Sequence, residues 1–327
     1  MDSEPERTPT SSLTLDIPAT KPVRIPLRFA IGDMRFLTLG INAREVLGHF
    51  LEQPRTVSDL IQAHKAAGGA QSTFGRSIIL SAENGTPTSQ PHAKLRILNE
   101  YNRHYVTIQG TFADYLAKFS SRSRSTLLRK VRKFETASHG ATDWATFRTP
   151  TEVEPFLNEA LPLSRDTYQH RLLGSGLPET EDFRRHLQNL AVENKFRGWL
   201  LRLDGRPTAY ICSEAVGATL LYEYVGFDPK RSDLSPGTVL QVLVLEQLFS
   251  EQTFRHFDFT EGEGSHKEFF GTDSHRCGDV LIIGESLSSA LLLLSHRAFN
   301  RVAAAIVSAA NRLGLKAAVR RVLRRGL

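Results

Sequence analysis

The chain has 327 residues, 40% hydrophobic and 23% charged, the proportions of an ordinary globular protein long enough for two modest domains or one large one. Two cysteines give no disulfide framework and no zinc spacing, and an acidic N-terminus rich in Pro, Ser and Thr lacks a signal peptide's basic-then-apolar start, so a cytoplasmic location is the default expectation. The net charge of +6 does not argue for a nucleic-acid partner, because from Ser286 onward there are eight Lys/Arg and no acid, leaving 33 basic against 35 acidic residues elsewhere.

Residues 1–20 are polar, without apolar periodicity, and are expected to be disordered. An N-terminal α/β lobe is expected over 21–110. Strand-like pieces lie in Val23–Ile41, one or two short helices in Ala43–Ala67, and strands at Gly75–Leu80 and His104–Gln109. Phe112–Thr136 has helical periodicity broken at Ser120–Ser125, which predicts two helices. Thr149-Pro150-Thr151-Glu152 is a helix start, with a cap, a proline and a glutamate at the third position. Its helix is expected to run to about Leu163, with another over Arg165–Leu173 and a third over Thr180–Asn194.

Strands then dominate. Gly198–Leu203 and Pro207–Glu214 face each other across Asp204-Gly205, a strong hairpin signal, and Thr219–Gly226 is a third strand. Thr238–Ser250 is apolar on nearly every side and predicts a buried helix. Phe254–Thr260 and Asp279–Gly284 are the remaining strands, and 286–327 is expected to form basic amphipathic helices. In that last stretch Leu315, Val319, Val322 and Leu323 cluster on one side, so the helix either lies on an anionic membrane surface or packs its strip on the domain.

The turn Leu234-Ser235-Pro236-Gly237-Thr238 is the most informative local feature. Ser235 suits an N-cap, Pro236 the first helical position, and Gly237 lets a ligand approach the bare amides of Gly237, Thr238 and Val239. A helix start of this kind is an anion seat or an ordinary well-capped helix.

The order Tyr115-Leu116, Ser123-Arg124-Ser125-Thr126-Leu127-Leu128-Arg129-Lys130, Leu203-Asp204-Gly205-Arg206-Pro207-Thr208-Ala209-Tyr210, Gly226-Phe227-Asp228-Pro229, Leu234 to Leu240, and Asp258-Phe259-Thr260-Glu261-Gly262-Glu263-Gly264 with His266-Lys267 carries a family resemblance. It resembles the Gcn5-related N-acetyltransferase (GNAT) superfamily, in its cellulose- and exopolysaccharide-associated branch, which is similar to the Fem peptidyltransferases. The resemblance covers about Phe112–Ile283. It implies a mixed α/β (α+β) fold, a mostly antiparallel sheet with helices on both faces, in a domain over 111–285, with the preceding lobe open as a second GNAT-like copy. It also implies transfer of an acyl group, acetyl above all, from acyl-CoA to an amine or hydroxyl of a sugar or polysaccharide precursor, without a metal. The glutamine/arginine-glycine-x-glycine acyl-CoA loop of ordinary GNAT enzymes is absent, and the Ser235-Pro236-Gly237 turn stands in its place. Because Fem relatives use aminoacyl-tRNA, a Fem-like ligase is the alternative, and a non-catalytic scaffold at the membrane surface is a third. Nucleic acid enters only through an aminoacyl-tRNA donor, for which the basic run Lys118–Lys133 is the candidate surface.

Acyl transfer needs a proton acceptor, a polarised carbonyl and alignment. Glu223 shares its strand face with Leu221 and Val225 in the alternating pattern. A carboxylate there is either paired or raised in pKa towards a general base's range. Asp258, between outward-turned Phe257 and Phe259, is placed to cap the glycine loop or to orient a base. By resemblance, Lys267 points into the cleft to meet a carbonyl or phosphate, beside His266, a weaker candidate. Arg165, Tyr168 and Arg171, at three-residue steps, either line an acceptor pocket or form a solvated helical face. His275 and Cys277 are two apart without a third orienting group, and Cys212 reads as core packing.

Overall fold

The structure, a computed structural model, describes residues 19–31, 34–80, 95–166, 176–262 and 264–312. These described residues fall into two compact units, one lying within Met1–Gly48, Pro54–Asn99 and Gly278–Leu327, the other within His49–Gln53 and Glu100–Cys277. The expected disorder of the first twenty residues lies, up to residue 18, outside the described residues, as does the tail beyond residue 312. The described part of 286–327 belongs to the first unit rather than standing apart.

In the first unit, β1 (Thr20–Ile31) pairs antiparallel with β2 (Met34–Val46), and β2 runs parallel to β3 (Ser72–Ile79). The helix expected from Ala43 is corrected: Ala43–Val46 finishes β2, and α1 covers only Val57–Ala66. Thr56 fixes that start through a reciprocal capping box with Asp59. A long helix, α8 (Leu287–Arg312), lays Leu293 and Phe299 against Ile25, Leu27 and Phe29 of β1.

The second unit holds the mixed, mostly antiparallel sheet, in the order β4-β9-β8-β7-β6-β5. Its strands are β4 (Leu95–Thr107, from Glu100 on), β5 (Asp143–Phe147), β6 (Phe196–Leu203), β7 (Arg206–Val216), β8 (Thr219–Phe227) and β9 (His256–Asp258). All neighbours are antiparallel except β8 and β9. The β6–β7 hairpin turns at Asp204 and Gly205 with φ of 53° and 71°, the conformation for which the Asp-Gly pair is suited.

Alternation along β6 assigns the two faces. Trp199 and Leu201 pack with α2 (Phe112–Ala117), α3 (Ser121–Ala137) and α6 (Pro236–Glu251). Leu200, with Tyr210 and Cys212 of β7, packs with α4 (Pro150–Asp166) and α5 (Glu181–Val192). Helices thus cover both faces, as expected. The helix starts follow their caps: Thr111 with Asp114 for α2, and Glu152 accepting the amides of Arg148 and Thr149, each at 2.8 Å, for α4. α4 continues through Arg165 without the expected break.

Candidate active site

β8 and β9 run side by side for only three residue pairs, Thr219–His256, Leu220–Phe257 and Leu221–Asp258. The strand expected over Phe254–Thr260 is therefore corrected to His256–Asp258, whereas β8 continues to Phe227. Beyond Leu221, among the described residues, no strand pairs with that edge of β8. Apart from Tyr222 O, which accepts the Thr260 hydroxyl at 3.5 Å, that edge faces a gap at the carboxyl ends of two parallel strands.

Asp258 makes this divergence. It is wholly buried, on the face opposite Phe257 and Phe259. Arg103 of β4 donates Nε to both carboxylate oxygens at 3.1 and 3.2 Å and Nη2 to Oδ2 at 2.5 Å. His49 Nε2 lies 2.9 Å from Oδ2, and since a carboxylate only accepts, that nitrogen carries the proton. Burial alone would raise the Asp258 pKa, but the hydrogen bond from His49 and the charge of Arg103 outweigh it and hold it below the ordinary value. Arg103 also reaches Glu261 at 2.8 Å and lies over the Phe50 ring, 4.7 Å from its centre. Asp258 Oδ1 then accepts the amide of Thr260 at 3.0 Å. Thr260 has φ of 61°, a left-handed conformation that a β-branched residue resists, and this corner turns the chain away from β8. Asp258 thus anchors the entry to the glycine loop, at Thr260, rather than capping the loop itself.

Lys267 lies on α7 (Ser265–Phe270), a short helix that the sequence reading did not anticipate. Its Nζ donates to Glu261 O at 2.6 Å, so the carbonyl it meets belongs to its own loop. Burial lowers its pKa against the raising influence of Asp258 and Glu261. His266, open to solvent on one side, sits 6.1 Å from the Phe259 ring and 6.2 Å from the Tyr222 ring, and this crowding, with Lys267 beside it, lowers its pKa.

Glu223 stands where β8 carries one extra residue. Cys212 pairs with Tyr224 and Ser213 with Tyr222, which leaves Glu223 as a β-bulge. The expected shared face with Val225 is corrected for that reason: the bulge shifts the alternation, so Tyr222 and Val225 pack on one core while Tyr224 packs on the other. The Glu223 side chain is open to solvent but crowded by protein on its inner side. Burial, then the carboxylates of Glu214 and Glu261, raise its pKa to about 7. No arginine is hydrogen-bonded or ion-paired to it in the described structure.

At the same end of β8, a 3-10 turn (Pro229–Leu234) leads into α6. Ser235 holds the expected N-cap position and Pro236 the first helical one, but Ser235 adopts φ 53°, ψ 47° and makes no side-chain capping bond, while its amide donates to Ser232 O at 3.1 Å. Val239 N begins the helical ladder on Ser235 O, so the amides of Gly237 and Thr238 have no helical partner. Gly237 faces Phe227, whose Cδ1 would lie 3.3 Å from an added Cβ. One turn further, Gln241 is buried; its Oε1 lies 3.4 Å from the Tyr222 hydroxyl and its Nε2 has no hydrogen-bond partner.

The structure thus gathers Glu223, Asp258, His266 and Lys267 around the divergence and places Ser235–Val239 at the same strand ends. Arg165 is engaged elsewhere, in an exposed bidentate pair with Glu179 at 2.6 and 2.7 Å, and Tyr168 and Arg171 lie outside the described residues. Cys277 is fully buried and His275 stacks on Tyr105, so they form no nucleophile pair open to substrate. Lys118 stays exposed but its head is engaged: its Nζ donates to the carbonyls of Phe270 at 2.6 Å and Gly271 at 2.5 Å, and partial burial lowers its pKa to about 8. Arg103 and His49 were missed. The available signal for Arg103 was its position between Tyr101 and Tyr105 on the buried side of β4. Among the described residues, no group of three or more His, Cys, Asp or Glu is placed to hold a metal ion.

Residues 121–268, somewhat under half of the chain, match the family model of an acetyltransferase (GNAT) domain. No curated protein matches the sequence. Among solved structures the chain is similar to L-PGS from Bacillus licheniformis, with 16% identity, 84% of this chain and 88% of that chain covered and a TM-score of 0.48. It is also similar to FemX, with 12% identity, 85% and 90% covered and a TM-score of 0.52. The diverging strands and bulge therefore lie within a GNAT-domain match, in a chain that shares its fold with FemX.

Proposed function

We propose that the protein is a cytoplasmic acyltransferase that moves an acyl group, acetyl in the first instance, from acyl-CoA to an amine or hydroxyl of a sugar or polysaccharide-precursor acceptor. The observation that carries this reading is the opening between β8 and β9 beyond Leu221–Asp258, with a near-neutral carboxylate on one wall and a helix start with bare amides at its end. The sugar acceptor rests on the family resemblance alone.

The donor, when bound, supplies a thioester carbonyl and a pyrophosphate. The amides of Gly237 and Thr238, at the positive end of the α6 dipole, suit the pyrophosphate. The backbone edge of β8 after Leu221 suits hydrogen bonding to an extended ligand. Glu223 takes the proton of the acceptor amine or hydroxyl as the new bond to the acyl carbon forms and the thioester C–S bond breaks, the coenzyme A thiolate leaving to take a proton from solvent; with a pKa of about 7 the Glu223 carboxylate is populated at neutral pH and basic enough to accept. Lys267, held by the loop carbonyls, places positive charge beside the developing oxyanion.

Calorimetric titration of acetyl-CoA and coenzyme A into the purified protein tests the seat, with Gly237→Trp, checked for folding by its melting curve, as control. Binding abolished by the variant supports the reading. No binding by intact, folded protein at millimolar ligand overturns the acetyl-CoA reading.

A second reading, an aminoacyl-tRNA donor, is favoured by one observation. Arg122, Arg129 and Arg132 of α3 are exposed, and Lys133 of the same helix donates to Asp233 O at 2.7 Å, beside the turn that leads into α6. That reading expects tRNA binding that weakens steeply with salt and is lost on charge reversal at Arg129 and Arg132.

A further inference from the structure

In the first unit, α8 has two apolar faces. One is used: Leu293 and Ala303 are buried, with Leu292 and Phe299 packed beside them on β1. Phe299 and His296 meet Phe29 edge-on, 5.3 and 4.9 Å between ring centres. The other face consists of Leu291, Leu294, Ala298, Val302 and Ala305. Steps of three, four, four and three residues keep it on one line along the helix. All five are exposed, Leu291 to 66%, Leu294 to 57% and Val302 to 59%. A single exposed leucine needs no explanation, but a line of apolar residues down about four turns of helix does.

The charge around the line selects its occupant. Arg297 and Arg301 are exposed and flank it on one side. From Ser286 to the end the sequence has eight Lys/Arg and no acid, six of them at Arg312 and beyond. A protein partner would need a matching acidic groove, whereas an anionic bilayer supplies both an apolar layer and negative headgroups in one plane. The helix is not long and apolar enough to cross a membrane, which suits lying in the interface.

We propose that the Leu291–Leu294–Val302 face of α8 seats the protein on an anionic lipid surface, the arginines pairing with headgroups. The contact lies on the described helix and does not need the Leu315–Leu323 strip expected from the sequence.

The test is flotation of the full chain with phosphatidylglycerol–phosphatidylcholine vesicles and with phosphatidylcholine alone. Wild type is expected to float with the anionic vesicles, to be released by high salt, and to bind neutral vesicles at least tenfold less. Leu291→Asp/Leu294→Asp/Val302→Asp is expected to stay in the aqueous phase with an unchanged melting curve. Arg297→Glu/Arg301→Glu is expected to lose most binding while keeping the stripe. Wild type that ignores anionic vesicles overturns the proposal, as does a triple variant that floats as well as wild type. A wild-type dimer in light scattering that the triple variant converts to monomer, without vesicle binding, overturns it in favour of a second copy on this face.

Discussion

Replacing Asp258 with Asn should unfold the second unit more readily than any other single polar substitution in it. The carboxylate is wholly buried and accepts from Arg103, His49 and the amide of Thr260. Asparagine keeps one acceptor oxygen and turns an amide nitrogen towards a guanidinium, so that Arg103 loses its buried counter-charge and keeps the more exposed Glu261. Breaking a buried pair from one side costs about 3–5 kcal/mol, and at about 2–4 °C per kcal/mol for a unit of this size the melting temperature should fall by about 6–20 °C. The sign of the pH dependence follows from the lowered pKa. The carboxylate's contribution is complete above its unfolded pKa and is lost as pH falls through its lower folded value. The gap between wild type and Asp258→Asn should therefore be constant from about pH 5 upward and close in acid. Calorimetric scans across pH read both quantities. A loss below about 1 kcal/mol would refute the reasoning. So would a double variant, Arg103→Met/Asp258→Leu, whose loss equals the sum of the singles, because two independent groups would then have been mistaken for a pair.

Glu223→Gln should lower acyl-transfer kcat by about 10²–10⁴ while leaving donor affinity within twofold, and wild-type activity should rise with pH through about 7; a flat pH profile would remove Glu223 as the base. Because the folded pKa is raised, ionising Glu223 disfavours the folded state as pH rises from the carboxylate range through about 7, so the variant's relative stability should increase there. Thr260→Gly should raise stability by about 1 kcal/mol at most by relieving the left-handed strain, and lower activity as the corner loosens, seen by scanning calorimetry beside rate measurements. Gln241→Leu removes a buried amide whose nitrogen has no partner, so chemical denaturation should show stability equal to wild type or higher; a loss above about 2 kcal/mol would mean that the amide is satisfied in solution.

Much of the second unit was legible because its signals are local. Asp204-Gly205 specifies a turn, the serine-rich stretch after Phe119 signals two helices although the break falls at 118–120 and Ser121–Ser125 already belong to α3, and the all-round apolar run after Pro236 can only be buried. β5 was missed because Asp143–Phe147 is a five-residue edge strand without alternation, and α7 because six residues after a glycine loop give no period. Asp258 was picked out, but its partners were not. His49 and Arg103 lie 209 and 155 positions away, and no local pattern reports a pairing that only the sheet order creates. Glu223 was found as an odd carboxylate among apolar neighbours, yet its orientation was misjudged because a one-residue bulge leaves no mark in composition.

The short stretch His49–Gln53, which belongs with Glu100–Cys277, has a consequence for how the molecule is made. During synthesis it emerges before the strands it will serve and waits until Thr219 and Asp258 appear, Glu52 taking up the Thr219 hydroxyl and the Ala218 amide. β1 to β3 wait longer, until the residues after Gly278 are released. Neither unit can finish on the ribosome in chain order, so folding should be slow, with exposed strand edges in the interim and a need for chaperone protection. A fragment cut at the limits of the GNAT match, 121–268, would lose His49, Glu52 and Arg103 together and keep Asp258 without either of the side chains that donate to its carboxylate.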